Sequence, residues 1–173
     1  MQELIIIAGP NGSGKTSFAN AYLPADANRL VFVNADEIAR ELANTITLAA
    51  QLDLQASRLM LERIKSLTLT RTEFLFETTL ASLTYARQIP KWQELGYTVA
   101  LIYLRLPDVE ASLSRVRRRV AAGGHDIPSE VVARRFARSL EYLETHYKPV
   151  VDEWYIYDSL EGHFELAEAW NEP

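Results

Sequence analysis

A glycine-rich segment of eight residues near the start of the chain constrains the fold more than any other feature. Residues 9–16 read Gly-Pro-Asn-Gly-Ser-Gly-Lys-Thr and match the pattern G-x-x-x-x-G-K-[ST] at every position. The segment follows the apolar residues 4–8, which predict a buried strand, and it runs into residues 15–22, which predict a helix. In this order the loop N–H groups and the positive end of the helix dipole face the same point, which predicts a phosphate-binding loop.

This loop predicts a site for ATP with Mg²⁺. The Lys15 ammonium suits the β- and γ-phosphates, and the Thr16 hydroxyl suits the metal ion as an oxygen ligand. The alternative is a glycine-rich turn that meets the pattern by accident, which the flanking strand and helix disfavour. The predicted nucleotide-binding residues are Gly9, Pro10, Asn11, Gly12, Ser13, Gly14, Lys15, Thr16 and Ser17.

Apolar strands alternate with helices along the rest of the chain. The predicted strands cover residues 3–8, 30–34, 73–77, 97–106 and 154–157. The predicted helices cover residues 15–22, 36–43, 48–67, 83–95, 108–121 and 129–147. This alternation indicates an α/β fold with a mainly parallel sheet and helices on both faces. Because no linker interrupts its 173 residues, the chain is expected to form a single domain over residues 1–173.

Two acidic residues are expected at the rim where the carboxyl ends of the parallel strands meet. Asp36 follows the second predicted strand, and its carboxylate suits a general base for a substrate hydroxyl. It equally suits the first turn of a helix that Asn34 and Glu37 would cap. Glu77 ends the third strand beside Thr78 and suits a substrate hydroxyl or a water on Mg²⁺, or simply the start of the next helix. Spacing alone leaves both pairs of roles open.

Positive charge is concentrated in the last third of the chain. Seven arginines lie between residues 115 and 138, namely Arg115, Arg117, Arg118, Arg119, Arg134, Arg135 and Arg138. Two glycines, Gly123 and Gly124, separate the two predicted helices that carry them. A glycine hinge between arginine-bearing helices predicts a helical lid over about residues 108–147 that closes on an anion.

Most charge runs are solvated helix faces, so one to three of these arginines are expected to act on a ligand. Arg119 and Arg135 flank the glycine turn and are the candidates, because an arginine supplied by a closing segment can stabilise charge on a transferred phosphoryl group. His125 lies in the same turn and suits a polar group of the substrate. A lone histidine in a glycine turn is, however, more often structural.

Composition excludes several classes of function. A net charge of −5 disfavours general attraction to nucleic acid or anionic membranes, and no run approaches the ~20 apolar residues that cross a bilayer. The chain has no cysteine, and its three histidines lack metal-ligand spacing, so any metal is expected to be held by oxygen. A cytoplasmic location is expected, because the apolar start runs directly into the glycine-rich loop and lacks a signal-peptide cleavage site.

Taken together, these motifs resemble the zeta toxin-like P-loop kinases. The resemblance rests on residues 9–16, on Asn-Ala-Asp at 34–36, on Phe-Glu-Thr-Thr-Leu at 76–80, and on the arginine-rich stretch 115–140. Many families share the glycine-rich loop, whereas Gly-Gly-His-Asp-Ile-Pro followed by Arg-Arg-Phe is much more specific. The motifs span most of the chain.

The resemblance implies a three-layer P-loop NTPase fold with a mainly parallel five-stranded sheet and a helical lid. It implies that Lys15 and Thr16 serve ATP and Mg²⁺, that Asp36 is the base, that Glu77 holds substrate, and that lid arginines contact phosphates. Characterised members phosphorylate UDP-N-acetylglucosamine and are restrained by a small helical antitoxin. This chain is shorter than the larger toxins and has Asn-Ala-Asp where Asp-x-Asp is expected, which affects the acceptor and antitoxin expectations more than the nucleotide chemistry.

The leading hypothesis is therefore an ATP-dependent kinase that phosphorylates a hydroxyl of a small molecule, with UDP-N-acetylglucosamine as the first candidate. One alternative is a nucleotide-dependent switch or binding module with slow ATP hydrolysis, although the sequence lacks the Asn-Lys-x-Asp segment of GTPases. Another is a nucleic-acid end kinase, which the net charge disfavours.

Overall fold

The computed structural model describes residues 2–22, 30–42, 49–124 and 126–171. The strands are β1 (Gln2–Ala8), β2 (Val31–Val33), β3 (Phe74–Thr78), β4 (Tyr97–Arg105), β5 (Glu153–Ser159) and β6 (Phe164–Asn171). The helices are α1 (Lys15–Tyr22), α2 (Ala35–Leu42), α3 (Ala49–Leu69), α4 (Ile89–Glu94), α5 (Val109–Ala121) and α6 (Ser129–Tyr142), and α6 continues into a π-helical turn at Leu143–Tyr147. Within the described ranges, none of these helices combines the length and apolar character that a bilayer crossing requires.

The strands form one sheet in the order β2-β3-β1-β4-β5-β6. The first five strands run parallel, and β6 pairs antiparallel with β5 at the edge. The five parallel strands confirm the α/β fold expected from the sequence. The sixth strand was not predicted, because nearly all of its side chains are exposed and it therefore lacks the buried apolar run by which a strand is found.

The central strand β1 is buried on both faces. Leu4 and Ile6 point into one apolar core and Ile5 and Ile7 into the other, and none of the four is more than 6% exposed. Successive side chains of a strand alternate between faces, so helices on both sides require apolar residues at every position. This accounts for the unbroken run Leu-Ile-Ile-Ile in the sequence.

The predicted helix over residues 83–95 is wrong in its first half, since only Ile89–Glu94 is helical and residues 84–88 form turns. The reason is Pro90, which stands in the first turn of α4. Proline has no N–H to donate and its ring clashes with the preceding turn, so a helix begins at this residue more readily than it continues through it.

Leu80 turns the chain sharply just after β3. It has a positive φ of 60°, unusual for a residue with a side chain, and it is completely buried. Its N–H donates to the Thr78 hydroxyl at 3.1 Å. The buried side chain therefore anchors the turn, while its neighbours Thr79 and Ala81 line a cleft above the core.

We expect Leu80→Ala to lower the free energy of unfolding by about 2–5 kcal/mol, because it leaves a cavity in the core. Alanine has the same difficulty at positive φ as leucine, so the loss reports packing. Leu54→Ala on α3, where the leucine is 55% exposed, is the matched control and should change stability by no more than about 0.5 kcal/mol. Denaturant titration measures both, and equal losses would contradict the anchoring role.

Candidate functional site

A cleft of about 970 Å³ opens at the carboxyl ends of the parallel strands. It brings together predicted site residues that are far apart in sequence. The predicted residues that line it are Asn11, Gly12, Gly14, Lys15, Thr16, Ser17, Glu77, Thr78, Arg119 and Arg135. Gly9, Pro10 and Ser13 complete the phosphate-binding loop but are not among the lining residues.

Lys15, the first residue of α1, lies over the phosphate-binding loop. Its ammonium donates to the carbonyl oxygens of Gly9 and Pro10 at 3.0 and 3.1 Å. These bonds hold the positive charge against the loop, next to the N-terminus of α1. An anion that enters the loop is therefore attracted both by the Lys15 ammonium and by the positive end of the α1 helix dipole.

Thr16 of α1 and Glu77 of β3 are in contact through their side chains. The Thr16 hydroxyl donates to Glu77 Oε2 at 3.2 Å, and the parallel register that pairs Ile7 with Glu77 places this carboxylate beside the loop. Mg²⁺ binds oxygen ligands and commonly takes one or two protein side chains, the rest being water and phosphate. The hydroxyl and the carboxylate fit such an ion.

Asp36 lies in the first turn of α2, directly after two cleft residues, Asn34 and Ala35. The Asn34 carbonyl accepts from the N–H of Ile38 at 3.2 Å, as expected where a helix begins. The side chain of Asp36 lies outside what the structure describes. His125, the candidate in the glycine turn, also lies outside the described residues.

The seven arginines divide between the cleft and the solvent. The cleft is lined by five of them, Arg115, Arg119, Arg134, Arg135 and Arg138. The other two are exposed and pair with acidic side chains, Arg117 with Glu110 at 3.8 Å and Arg118 with Glu161 at 3.1 Å. The signal for this division was the spacing of four residues, since Arg115 with Arg119 and Arg134 with Arg138 each share a helix face.

Part of the cleft lining is a wall that sequence reasoning missed. This wall comes from α3 and from the turn after β3, and it consists of Ala56, Ser57, Met60, Ala81, Ser82 and Tyr85. Small and apolar side chains carry no chemical signal in a sequence. The Tyr85 hydroxyl approaches the Met60 sulfur at 3.7 Å, and burial raises the pKa of Tyr85 to about 12. The phenol therefore stays neutral at physiological pH.

The edge strand β6 reaches back to the phosphate-binding loop. The Phe164 ring packs edge-on against Phe18 of α1, with centroids 5.2 Å apart. A Cβ atom added at Gly14 would lie 3.1 Å from Phe164 Cζ. The aromatic ring thus lies against both the loop, at Gly14, and α1, at Phe18.

Helix α5 packs closely against the loop at Gly12, as the Phe164 ring does at Gly14. A Cβ atom there would lie 2.8 Å from Arg115 Cβ and 3.3 Å from the Ser112 carbonyl oxygen. Gly12 also has a φ of +78°, a conformation that side chains disfavour. Both the close approach and the backbone conformation require glycine at this position.

Sequence comparison finds a family match and one relative. Residues 2–161 match the family model described as zeta toxin. A protein of uncharacterised function from Haemophilus influenzae strain Rd is 29% identical over 134 residues, which cover 78% of this chain and 92% of the relative. The family match therefore includes the whole cleft and ends before β6.

Two solved structures share the fold over almost the whole chain. A structure from the PezAT chromosomal toxin-antitoxin system of Streptococcus pneumoniae has a TM-score of 0.71 at 15% identity, covering 98% of this chain and 72% of that one. The AvrRxo1-ORF1:ORF2 complex with ATP has a TM-score of 0.78 at 21% identity, covering 99% of this chain and 59% of that one. At such identities the likeness establishes the fold.

We expect Gly12→Ala to be more destabilising than Gly96→Ala. Gly96 has a similar φ of +89°, but nothing lies within 4 Å of the position of its missing Cβ. Gly96→Ala should therefore cost only the backbone penalty of about 1–2 kcal/mol, whereas Gly12→Ala should cost about 1–3 kcal/mol more because α5 must move. Denaturant titration of both variants measures the loss of unfolding free energy. Equal losses would show that α5 moves away from the loop at no energetic cost and would contradict this prediction.

Proposed function

The chain belongs to the zeta toxin family and has the fold of a P-loop kinase, and from this premise we propose that it transfers the γ-phosphoryl group of ATP to a hydroxyl of a small molecule. The observation that carries the proposal is that residues of the phosphate-binding loop and three arginines of α6 line the same cleft. The arginines are Arg134, Arg135 and Arg138. A donor and an acceptor held in one cleft can react as if in a single molecule.

ATP binds at the loop in this proposal. The N-terminus of α1 and the Lys15 ammonium, which is held over the loop, supply positive charge for the β- and γ-phosphates. The complex with ATP in the AvrRxo1 structure, whose fold this chain shares, supports the choice of nucleotide.

Thr16 and Glu77 are the residues that would hold Mg²⁺ here, since their oxygens lie 3.2 Å apart. When bound, the ion neutralises charge on the phosphate oxygens. Thr16 would provide a direct ligand, and Glu77 would either hold a water of the ion or bind the acceptor together with Thr78, which also lines the cleft.

Asp36 is the proposed general base. It lies in the first turn of α2, directly after Asn34 and Ala35, which both line the cleft. As the acceptor oxygen forms its bond to the γ-phosphorus, Asp36 takes the hydroxyl proton, and the bond to the β-phosphate oxygen breaks to release ADP. Arg119 and Arg135, which face the cleft from α5 and α6, stabilise the charge that develops on the transferred group.

UDP-N-acetylglucosamine is the acceptor we propose to test first. The family supports it, and the three arginines of α6 suit the diphosphate of a sugar nucleotide. The family and the PezAT structure also support an antitoxin as protein partner. His125, which lies between α5 and α6 in the sequence, stays a candidate for recognising the acceptor.

Lys15→Ala should abolish ATP binding, because it removes the ammonium that donates to the loop carbonyls of Gly9 and Pro10. Equilibrium titration with ATP measures this directly. Lys91→Ala, on α4 and outside the cleft, is the control and should bind ATP as the parent protein does. Wild-type affinity in Lys15→Ala would refute the assignment of the loop.

Asp36→Asn should keep ATP binding and slow phosphoryl transfer by ~10²-fold or more, because the amide cannot accept the hydroxyl proton. Transfer from γ-labelled ATP is measured with UDP-N-acetylglucosamine, other sugar nucleotides, free nucleosides and short oligonucleotides. A labelled product that disappears in the variant identifies both the kinase and its acceptor class.

Three other outcomes would contradict the proposal. Unchanged transfer in Asp36→Asn would leave this residue as part of the helix start. Slow phosphate release with every acceptor would favour the nucleotide-dependent switch, while a labelled oligonucleotide, bound with steep salt dependence, would favour a nucleic-acid end kinase.

A further inference from the structure

We infer that two buried serines behind the phosphate-binding loop, Ser112 of α5 and Ser159 at the end of β5, are positioning residues for ATP. Together with Arg115 they form what we call the outer clamp. The inference rests on the proposed function, because it assigns a role in binding the nucleotide. Neither serine lines the cleft, so both act through the loop.

The outer clamp donates hydrogen bonds to three consecutive carbonyl oxygens of the loop. The Ser112 hydroxyl donates to the carbonyl of Asn11 at 2.6 Å, and the Ser159 hydroxyl donates to that of Ser13 at 2.9 Å. Between them, Arg115 Nη1 donates to the Gly12 carbonyl at 3.4 Å. The longest of these bonds comes from Arg115, so the two serines supply most of the restraint.

Arg115 also fixes the direction in which the Ser159 hydroxyl points. Its Nη1 donates to Ser159 Oγ at 2.7 Å, and its Nη2 donates to the Ser159 carbonyl at 2.9 Å. A serine hydroxyl has one proton, and a guanidinium can only donate. Ser159 Oγ must therefore accept from Arg115 and give its own proton to Ser13.

The hydrogen bonds to the loop carbonyls determine where the N–H groups on the other side of the same peptide bonds point. No described peptide bond is cis, and in a trans peptide the carbonyl and the following N–H point in opposite directions. Bonds to the carbonyls of Asn11 and Ser13 therefore turn the N–H groups of Gly12 and Gly14 away from the clamp. Both glycines line the cleft. A loop held in this way pays less ordering entropy when phosphate binds.

The serine hydroxyls of the clamp are buried, so water does not readily replace them as hydrogen-bond donors. Ser112 is 0% and Ser159 2% exposed, so water cannot readily take over a bond that either hydroxyl loses. The start of α5 is itself fixed, since the Asp108 carboxylate accepts from the Ala111 N–H at 2.8 Å. Ser112 and Arg115 are three residues apart and share one face of this helix.

The experiment measures ATP affinity by calorimetry in Ser112→Ala and Ser159→Ala. We expect the Kd for ATP to rise roughly tenfold in each, the size typical of one buried hydrogen bond, and the KM of the acceptor at saturating ATP to stay unchanged. Tyr97→Phe is the matched control. The Tyr97 hydroxyl also donates to a main-chain carbonyl, that of Thr72 at 2.8 Å, with the Leu67 carbonyl oxygen farther away at 3.3 Å, but at the opposite end of β4. The Tyr97→Phe variant should lower the Tm and leave the Kd for ATP unchanged.

Failure of the clamp and failure of the proposed function give different results. A parent protein that binds no ATP would overturn both. Tight ATP binding by the parent with the same Kd in both serine variants would overturn the clamp alone, as would an equal loss of affinity in Tyr97→Phe. If an alanine variant does not fold, Ser112→Cys and Ser159→Cys keep a similar volume with a weak donor. These variants are judged by the same criterion.

Discussion

The pairing of β1 with β3 on one side and β4 on the other determines where the functional side chains lie. Both pairings are parallel, so the carboxyl ends of three strands end at one edge. The register that pairs Ile7 with Glu77 brings a carboxylate to the start of α1, where Thr16 binds it. Burial of β1 on both faces stabilises this arrangement, because the apolar side chains of both faces are removed from water.

Those parts of the site that follow from backbone pattern could be predicted from the sequence. The loop of residues 9–16 could be predicted at the cleft because its glycines, lysine and threonine must follow one another, and Glu77 because it ends an apolar strand. Ser112 and Ser159 could not be found, since a single serine has no pattern and its role depends on the approach of α5 and β5 to the loop. The edge strand β6 was missed for a similar reason, because pairing with β5 stabilises it while its side chains stay mostly exposed.

The distribution of positive charge over the molecule cannot be read from its net charge. The chain carries a net charge of −5, yet five arginines from two helices line one cleft. Arginines Arg117 and Arg118 lie on the same helix as Arg115 and Arg119 but turn outward to acidic partners. An anionic ligand is therefore attracted to one opening, while the acidic remainder disfavours extended polyanions.

The position of Phe164 bears on where this family's domain is taken to end. The family match stops at residue 161, whereas the aromatic ring three residues later packs on Phe18 and lies against Gly14. A shortened chain drawn to the limits of sequence similarity would retain every lining residue of the cleft and lose the aromatic ring that lies against its phosphate-binding loop. Boundaries chosen by homology and boundaries chosen by packing thus differ by a whole strand, and the second choice keeps the contact between β6 and the loop.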